Sequence, residues 1–137
     1  MDYRTYVEND SLYNTIPTFP VYVFGEVLKW LKKRGGLEKM YDLNQKKAAV
    51  IYNAIDKSGF YSGVSAPDSR SLMNVTFRLP SEDLEKKFVK ESDANGLSGL
   101  KGHKSAGGIR ASIYNAFPME GCEALAAFMQ DFERVNG

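Results

Sequence analysis

The segment LMNVTFRL, residues 72–79, marks the point where the sequence pattern changes from helical to extended. Met73, Val75 and Phe77 alternate with polar residues at positions 74, 76 and 78. A period of two places the apolar side chains on one face of an extended chain and the polar side chains on the other. The segment therefore predicts a strand that is buried on one face only.

Helical patterns lie on both sides of this strand. Apolar residues recur at helical spacing before it, and Ser81 followed by two acidic residues is a good helix start after it. Helices are predicted over residues 17–34, 37–58, 81–95 and 118–137, and two further short strands over residues 97–100 and 109–114. This order predicts the α/β class, a two-layer α/β sandwich in which helices cover a small mixed or antiparallel sheet.

Composition and charge exclude several classes of function. The chain has 137 residues, and 18 Lys and Arg against 17 Asp and Glu give a net charge of +1, so no nucleic-acid partner is expected. One His and one Cys give no basis for a metal site or an internal disulfide. No apolar run approaches the roughly 18 residues of a membrane span, and a signal-peptide pattern is absent. A cytoplasmic protein with no membrane partner is expected.

The segment GHKSAGGIR, residues 102–110, combines three glycines with His103, Lys104 and Arg110. No Asp or Glu occurs anywhere in residues 94–119, so the segment has no local carboxylate. Glycines allow backbone N–H groups to converge on an anion, and an arginine offers a planar pair of donors to a carboxylate. The segment predicts an anion-binding loop; the alternative is a solvated glycine turn between two strands.

Each candidate residue also has a plain structural explanation. Arg110 falls in an apolar strand and needs a carboxylate, supplied either by a protein side chain or by a ligand. His103 is either a hydrogen-bond donor to a phosphate or an ordinary turn residue. Asn14 and Thr15 precede a predicted helix, where they either hold a phosphate or simply cap the helix.

Six segments together resemble a known family. They are Leu12–Thr15, Pro17–Phe19, Arg70–Ser71, Met73–Val75, Leu100–His103 and Gly107–Ala116. They resemble the C-terminal part of the phosphoserine aminotransferase family, fold-type-I enzymes that depend on pyridoxal phosphate (PLP). The resemblance implies the small-domain fold of aminotransferases. It also implies amino transfer between glutamate and 3-phosphohydroxypyruvate in serine biosynthesis.

The resemblance implies roles for the candidate residues. Arg110 is expected to bind the substrate α-carboxylate, and His103 and Lys104 the substrate phosphate or the distal carboxylate of glutamate. Asn14 and Thr15 are expected to bind the phosphate of PLP in a neighbouring subunit, which implies a homo-oligomer. Lys104 stands where the family usually has arginine, and it keeps the charge but loses bidentate geometry.

The resemblance also implies a division of the chain. Residues 1–16 are expected to be a linker from a large domain, and residues 17–137 the small domain. The family's cofactor-binding lysine belongs to the large domain, so no catalytic residue is assigned here. The chain alone is expected neither to transaminate nor to hold PLP. The alternative is an independent, non-catalytic α/β domain that binds small anions or a protein.

Overall fold

A computed structural model describes residues 2–137, which form five α-helices and three strands. The helices are α1 (Arg4–Val7), α2 (Thr18–Lys33), α3 (Gly36–Asp56), α4 (Glu82–Ala94) and α5 (Met119–Asn136), and the strands are β1 (Ser62–Gly63), β2 (Asn74–Arg78) and β3 (Ile109–Ser112). The chain divides into two compact units, Met1–Met40 and Tyr41–Gly137. The predicted division at residue 16 stays a prediction. No helix within residues 2–137 has the length and apolar character to cross a membrane.

The predicted α/β class is confirmed, and the sheet is antiparallel in the order β1-β2-β3. In β2, Val75 and Phe77 are fully buried, whereas the residues that alternate with them are half-buried. The register places Thr76 opposite Arg110 in β3. Because both strands alternate in phase, the sheet has one apolar face and one polar face.

The apolar face of the sheet packs into one core in the second unit, with side chains from α3, α4 and α5. Phe88 of α4 lies at its centre, with ring centroids 5.9 Å from Phe77 and 5.1 Å from Phe132. Such edge-to-face pairs stabilise a core beyond the area they bury. The helix predicted from Ser81 is confirmed, because the Ser81 hydroxyl accepts a hydrogen bond from the Leu84 N–H at 3.3 Å.

The strand predicted over residues 97–100 is wrong. Gly96 and Gly99 both have φ of +79°, which breaks an extended conformation. Pairing with β3 is confined to a bridge between Lys101 and Ile109 and the 2.8 Å bond from the Arg110 N–H to the Leu100 carbonyl. The glycines that begin and interrupt the segment thus convert a predicted strand into a loop.

The first unit also differs from expectation. Its polar and aperiodic N-terminal sequence predicts an extended segment, but residues 2–16 are not wholly extended, because the Asp2 carboxylate accepts the Arg4 N–H at 3.0 Å and α1 follows. A helix of four residues is too short to leave a periodic signal in the sequence. The alternative in which Asn14 or Thr15 caps α2 is also wrong, because Pro17 is the cap residue and no side chain bonds to the helix start.

Helix α2 contains no buried residue, although its sequence has an apolar stripe. Phe19 is 75% exposed and Phe24 is 62% exposed. Tyr22, Val27 and Leu28 are exposed as well. Large apolar side chains exposed together on one helix favour association with another surface.

We therefore expect the chain to self-associate. Light scattering over a range of protein concentrations should give a mass above the 15.3 kDa of one chain, and changing Phe19 and Phe24 to Ser should reduce it. The matched control changes Lys29 and Lys33, which are exposed on the same helix, to Ser. A single-chain mass at every concentration would contradict this expectation.

Lys47 of α3 is a fully buried lysine that faces the end of β3. Its Nζ donates to the carbonyls of Ile113, Tyr114 and Phe117, at 3.1, 2.7 and 3.2 Å. Burial lowers the pKa of the Lys47 ammonium below its ordinary value. The three bonds use all three ammonium donors and hold the turn that connects β3 to α5.

Replacing Lys47 with Met should destabilise the fold by about 2–3 kcal/mol, because buried carbonyls lose their donor while the side-chain volume is kept. Urea unfolding of Lys47→Met against Lys46→Met measures this difference. Lys46 is exposed, so its substitution should change stability by less than about 0.5 kcal/mol. Equal effects of the two changes would show that the three carbonyl bonds contribute nothing.

Candidate functional site

The polar face of the sheet is the first part of the candidate site. Asn74, Thr76 and Arg78 of β2 and Arg110 and Ser112 of β3 are all half-buried. Two of these side chains are joined directly, since the Ser112 hydroxyl donates to the Asn74 amide oxygen at 3.1 Å. The alternation that buries one face of the sheet therefore sets a row of polar groups on the other.

Arg110 has no acidic partner on this face. Among residues 2–137, no carboxylate lies within 4.0 Å of its guanidinium. Its Nε is buried and has no hydrogen-bond partner within the same residues. No protein carboxylate therefore neutralises Arg110 in the described part of the chain, contrary to one of the two alternatives given above. A half-buried guanidinium in this state is suited to receive a carboxylate from a ligand.

The glycine loop that precedes β3 is closed by its own backbone. The Gly102 N–H donates to the Gly108 carbonyl at 2.8 Å, and the His103 carbonyl accepts the Ala106 and Gly107 N–H groups at 3.0 and 2.8 Å. A Cβ at Gly102 would overlap the Gly107 carbonyl. Glycine is therefore required at position 102 for the loop to close.

Arg78 supports this loop and was not singled out as a site residue from the sequence. Its Nη1 donates to the Ala106 carbonyl at 2.9 Å, and its Nε pairs with the Glu85 carboxylate at 2.8 Å. A Cβ at Gly107 or Gly108 would meet the Arg78 side chain at 2.8 or 2.7 Å. Arg78 thus joins the loop to α4. Its only signal in the sequence was that Arg78 is a charged residue among the polar positions that alternate with the apolar ones in β2.

A second arginine stabilises the start of the chain segment before β2. Arg70 binds the Asp56 carboxylate with two bonds of 2.7 Å, and its guanidinium lies 4.5 Å from the centre of the Tyr52 ring. These hydrogen bonds lower the pKa of the Asp56 carboxyl. Arg70 belongs to one of the segments that carry the family resemblance, and its contacts here are with the protein itself.

The structure places the predicted site residues in two groups. His103 and Lys104 are exposed on the glycine loop, and Arg110 follows on the strand that leaves it. Asn14 and Thr15 belong to the other compact unit and are exposed there, with the Asn14 amide donating to the Tyr6 hydroxyl at 3.4 Å. An exposed amide and hydroxyl that do not cap α2 fit the donor chemistry that a phosphate requires.

An unpaired guanidinium beside a glycine-rich loop with two further nitrogen-bearing side chains is suited to small anionic ligands. Comparison with known proteins gives the family. Residues 1–125 match Aminotransferase class-V. The chain belongs to the class-V aminotransferase family.

Individual relatives carry a more specific name than the family does. Phosphoserine aminotransferases of Desulfosudis oleivorans and Niallia circulans are each 61% identical over 136 residues, which are 98% of this chain and 38% of the relative. The structure of phosphoserine aminotransferase from Bacillus circulans subsp. alkalophilus matches with a TM-score of 0.90 at 61% identity, over 98% of this chain and 38% of that one. The structure of a PLP-bound phosphoserine aminotransferase from Trichomonas vaginalis matches with a TM-score of 0.84 at 42% identity. This match covers 94% of this chain and 37% of that one. The chain thus spans less than two fifths of the relatives it matches.

The closure of the glycine loop gives a direct test. Gly102→Ala should destabilise the chain by about 1–3 kcal/mol, because the new methyl group overlaps a backbone carbonyl that cannot move freely. Thermal or urea unfolding measures the loss. Gly59→Ala is the control, since a Cβ there meets nothing within 4 Å. If Gly102→Ala is as stable as Gly59→Ala, the loop is not closed as described.

Proposed function

We propose that the complete protein is a PLP-dependent phosphoserine aminotransferase, which transfers an amino group between glutamate and 3-phosphohydroxypyruvate in serine biosynthesis. This chain contributes the substrate-binding part of that enzyme. The observation that carries the proposal is the unpaired Arg110 guanidinium beside the acid-free glycine loop. The identity to phosphoserine aminotransferases supports the particular reaction.

The proposed substrates match the site in charge. Both carry an α-carboxylate, and each has a second anionic group, a phosphate in one and a distal carboxylate in the other. We assign the α-carboxylate to Arg110, whose planar donors can hold it by two bonds. We assign the second anionic group to His103 and Lys104 on the loop. Holding an acid at two points orients its reacting carbon and fixes which face is presented.

We propose Asn14 and Thr15 as ligands of the cofactor phosphate. When bound, PLP supplies the electron sink for amino transfer, and the protein supplies binding and orientation. The resemblance places the cofactor-binding lysine in the part of the relatives that this chain does not cover. We therefore do not expect residues 1–137 alone to retain PLP.

We further propose that the complete enzyme is a homo-oligomer in the cytoplasm. The exposed apolar residues of α2 supply a surface for association, and the roles proposed for Asn14 and Thr15 are toward the cofactor of a neighbouring subunit. The single cysteine, Cys122, is buried and unpaired, which suits a reducing compartment. The alternative of an independent, non-catalytic domain has no support from the relatives described above, each of which is named as a phosphoserine aminotransferase.

The proposal is testable in a chimaera. This chain would replace the corresponding 136 residues of the Niallia circulans relative, to which it is 61% identical. We expect the chimaera to transaminate. Arg110→Lys should lower kcat/KM roughly tenfold to a hundredfold for both glutamate and 3-phosphohydroxypyruvate, because two charge-assisted bonds become one point contact.

Lys104→Ala is the matched comparison in the same chimaera. It should act through the phosphate or distal carboxylate and cost less than Arg110→Lys for glutamate. An inactive but folded chimaera would count against the proposed activity. If Arg110→Lys leaves both values of kcat/KM within about twofold, Arg110 does not bind substrate.

A further inference from the structure

The side chain of His103 has a defined environment on only one of its two ring nitrogens. Nδ1 lies 2.8 Å from the Ser105 hydroxyl oxygen and 3.3 Å from the Ser105 backbone nitrogen, whose N–H points at it. The residue as a whole is exposed. The ring is therefore anchored on its Nδ1 side by the loop's own residue, and Nε2 is directed away from that anchor.

The backbone contact determines the role of Nδ1. A peptide N–H can only donate a hydrogen bond, so the nitrogen it points at must carry a lone pair. With a lone pair on Nδ1, the Ser105 hydroxyl 2.8 Å away can donate to it as well, and the two donors then share that lone pair. In a neutral imidazole one nitrogen carries the proton and the other accepts, so an accepting Nδ1 places the proton on Nε2.

We propose that Ser105 is a positioning residue that fixes His103 in the Nε2–H tautomer. This proposal rests on the function proposed above. The Nε2–H group would then be a neutral, oriented donor for the phosphate or distal carboxylate of the substrate, next to the charged ammonium of Lys104. Lys104 would attract the anionic group by its charge, and the His103 N–H would orient that group by a hydrogen bond.

The loop that holds Ser105 is itself fixed. The His103 carbonyl accepts two N–H groups of the turn, and Arg78 binds the Ala106 carbonyl. Ser105 lies between these anchors, so its backbone N–H and Cβ are held next to the His103 ring. In this position the Ser105 hydroxyl contacts Nδ1 of His103 at 2.8 Å.

The test uses the chain as it is, because His103 is its only histidine. Long-range ¹H–¹⁵N spectra identify which ring nitrogen carries the proton, at a pH of about 8.5, roughly two units above the ordinary histidine pKa. We expect Nε2 to be protonated and Nδ1 to be bare. Ser105→Ala keeps the backbone N–H at 3.3 Å but removes the shorter hydroxyl contact at 2.8 Å, so it should shift the tautomer mixture part of the way toward Nδ1–H. Ser105→Thr, which keeps the hydroxyl, should restore the pattern.

A protonated Nδ1 in the unchanged chain would overturn the proposal. Identical tautomer spectra for Ser105→Ala and the unchanged chain would also overturn it. The same samples titrated with inorganic phosphate test the function separately. We expect phosphate to shift the Nε2–H signal and to bind roughly threefold to tenfold more weakly to Ser105→Ala. The expected tautomer with no response to phosphate would count against the function assigned to the loop and leave the tautomer assignment standing.

Discussion

The half-buried guanidinium of Arg110, held without a carboxylate partner, is the constraint around which this domain is organised. A charge in that position is costly unless an anion reaches it. The stretch of sequence around it contains no Asp or Glu from residue 94 to 119, and four other arginines of the chain pair with carboxylates. Within residues 2–137, Arg110 and the exposed Arg34 are the two arginines without a carboxylate partner, and of these two only Arg110 is half-buried.

The surrounding structure keeps Arg110 in place from both sides. Before it, Arg78 and Glu85 tie the glycine loop to α4. After it, the Lys47 ammonium gathers three carbonyls of the turn that follows β3. Between these anchors the register of β3 against β2 fixes which residues face the core and which lie on the polar face of the sheet. Rigid anchors on each side of a binding side chain are what precise orientation of a substrate needs.

Much of the fold was readable from local patterns. The alternation in β2 predicted its two faces, and the Ser81 cap predicted the start of α4, because both depend on neighbours in sequence. The conformation of residues 97–100 was missed because two positive-φ glycines outweigh the strand-like ends of that segment. Helix α1 was missed because its four residues are too few to form a periodic pattern.

The site was only partly readable. The loop residues and Arg110 stood out by composition, whereas Arg78 reaches the Ala106 carbonyl 28 residues away and Lys47 the Ile113 carbonyl 66 residues away. Lys47 lies at helical spacing from Asn44 and Ile51 on the buried face of α3, but its charge made it resemble a surface residue. Long-range partners of this kind are set by tertiary packing, which a local pattern does not encode.

The most direct measurement of the central claim is the ¹H–¹⁵N spectrum of the arginine side chains, with the Arg110 Nε–H signal assigned by its loss in Arg110→Lys. Glutamine, which keeps the α-carboxylate, and isoglutamine, in which that group is an amide, would be titrated in parallel. A ligand carboxylate on Arg110 predicts that the Arg110 signal shifts with glutamine and stays in place with isoglutamine. An Arg110 signal that shifts with neither ligand, or shifts equally with both, would contradict the claim.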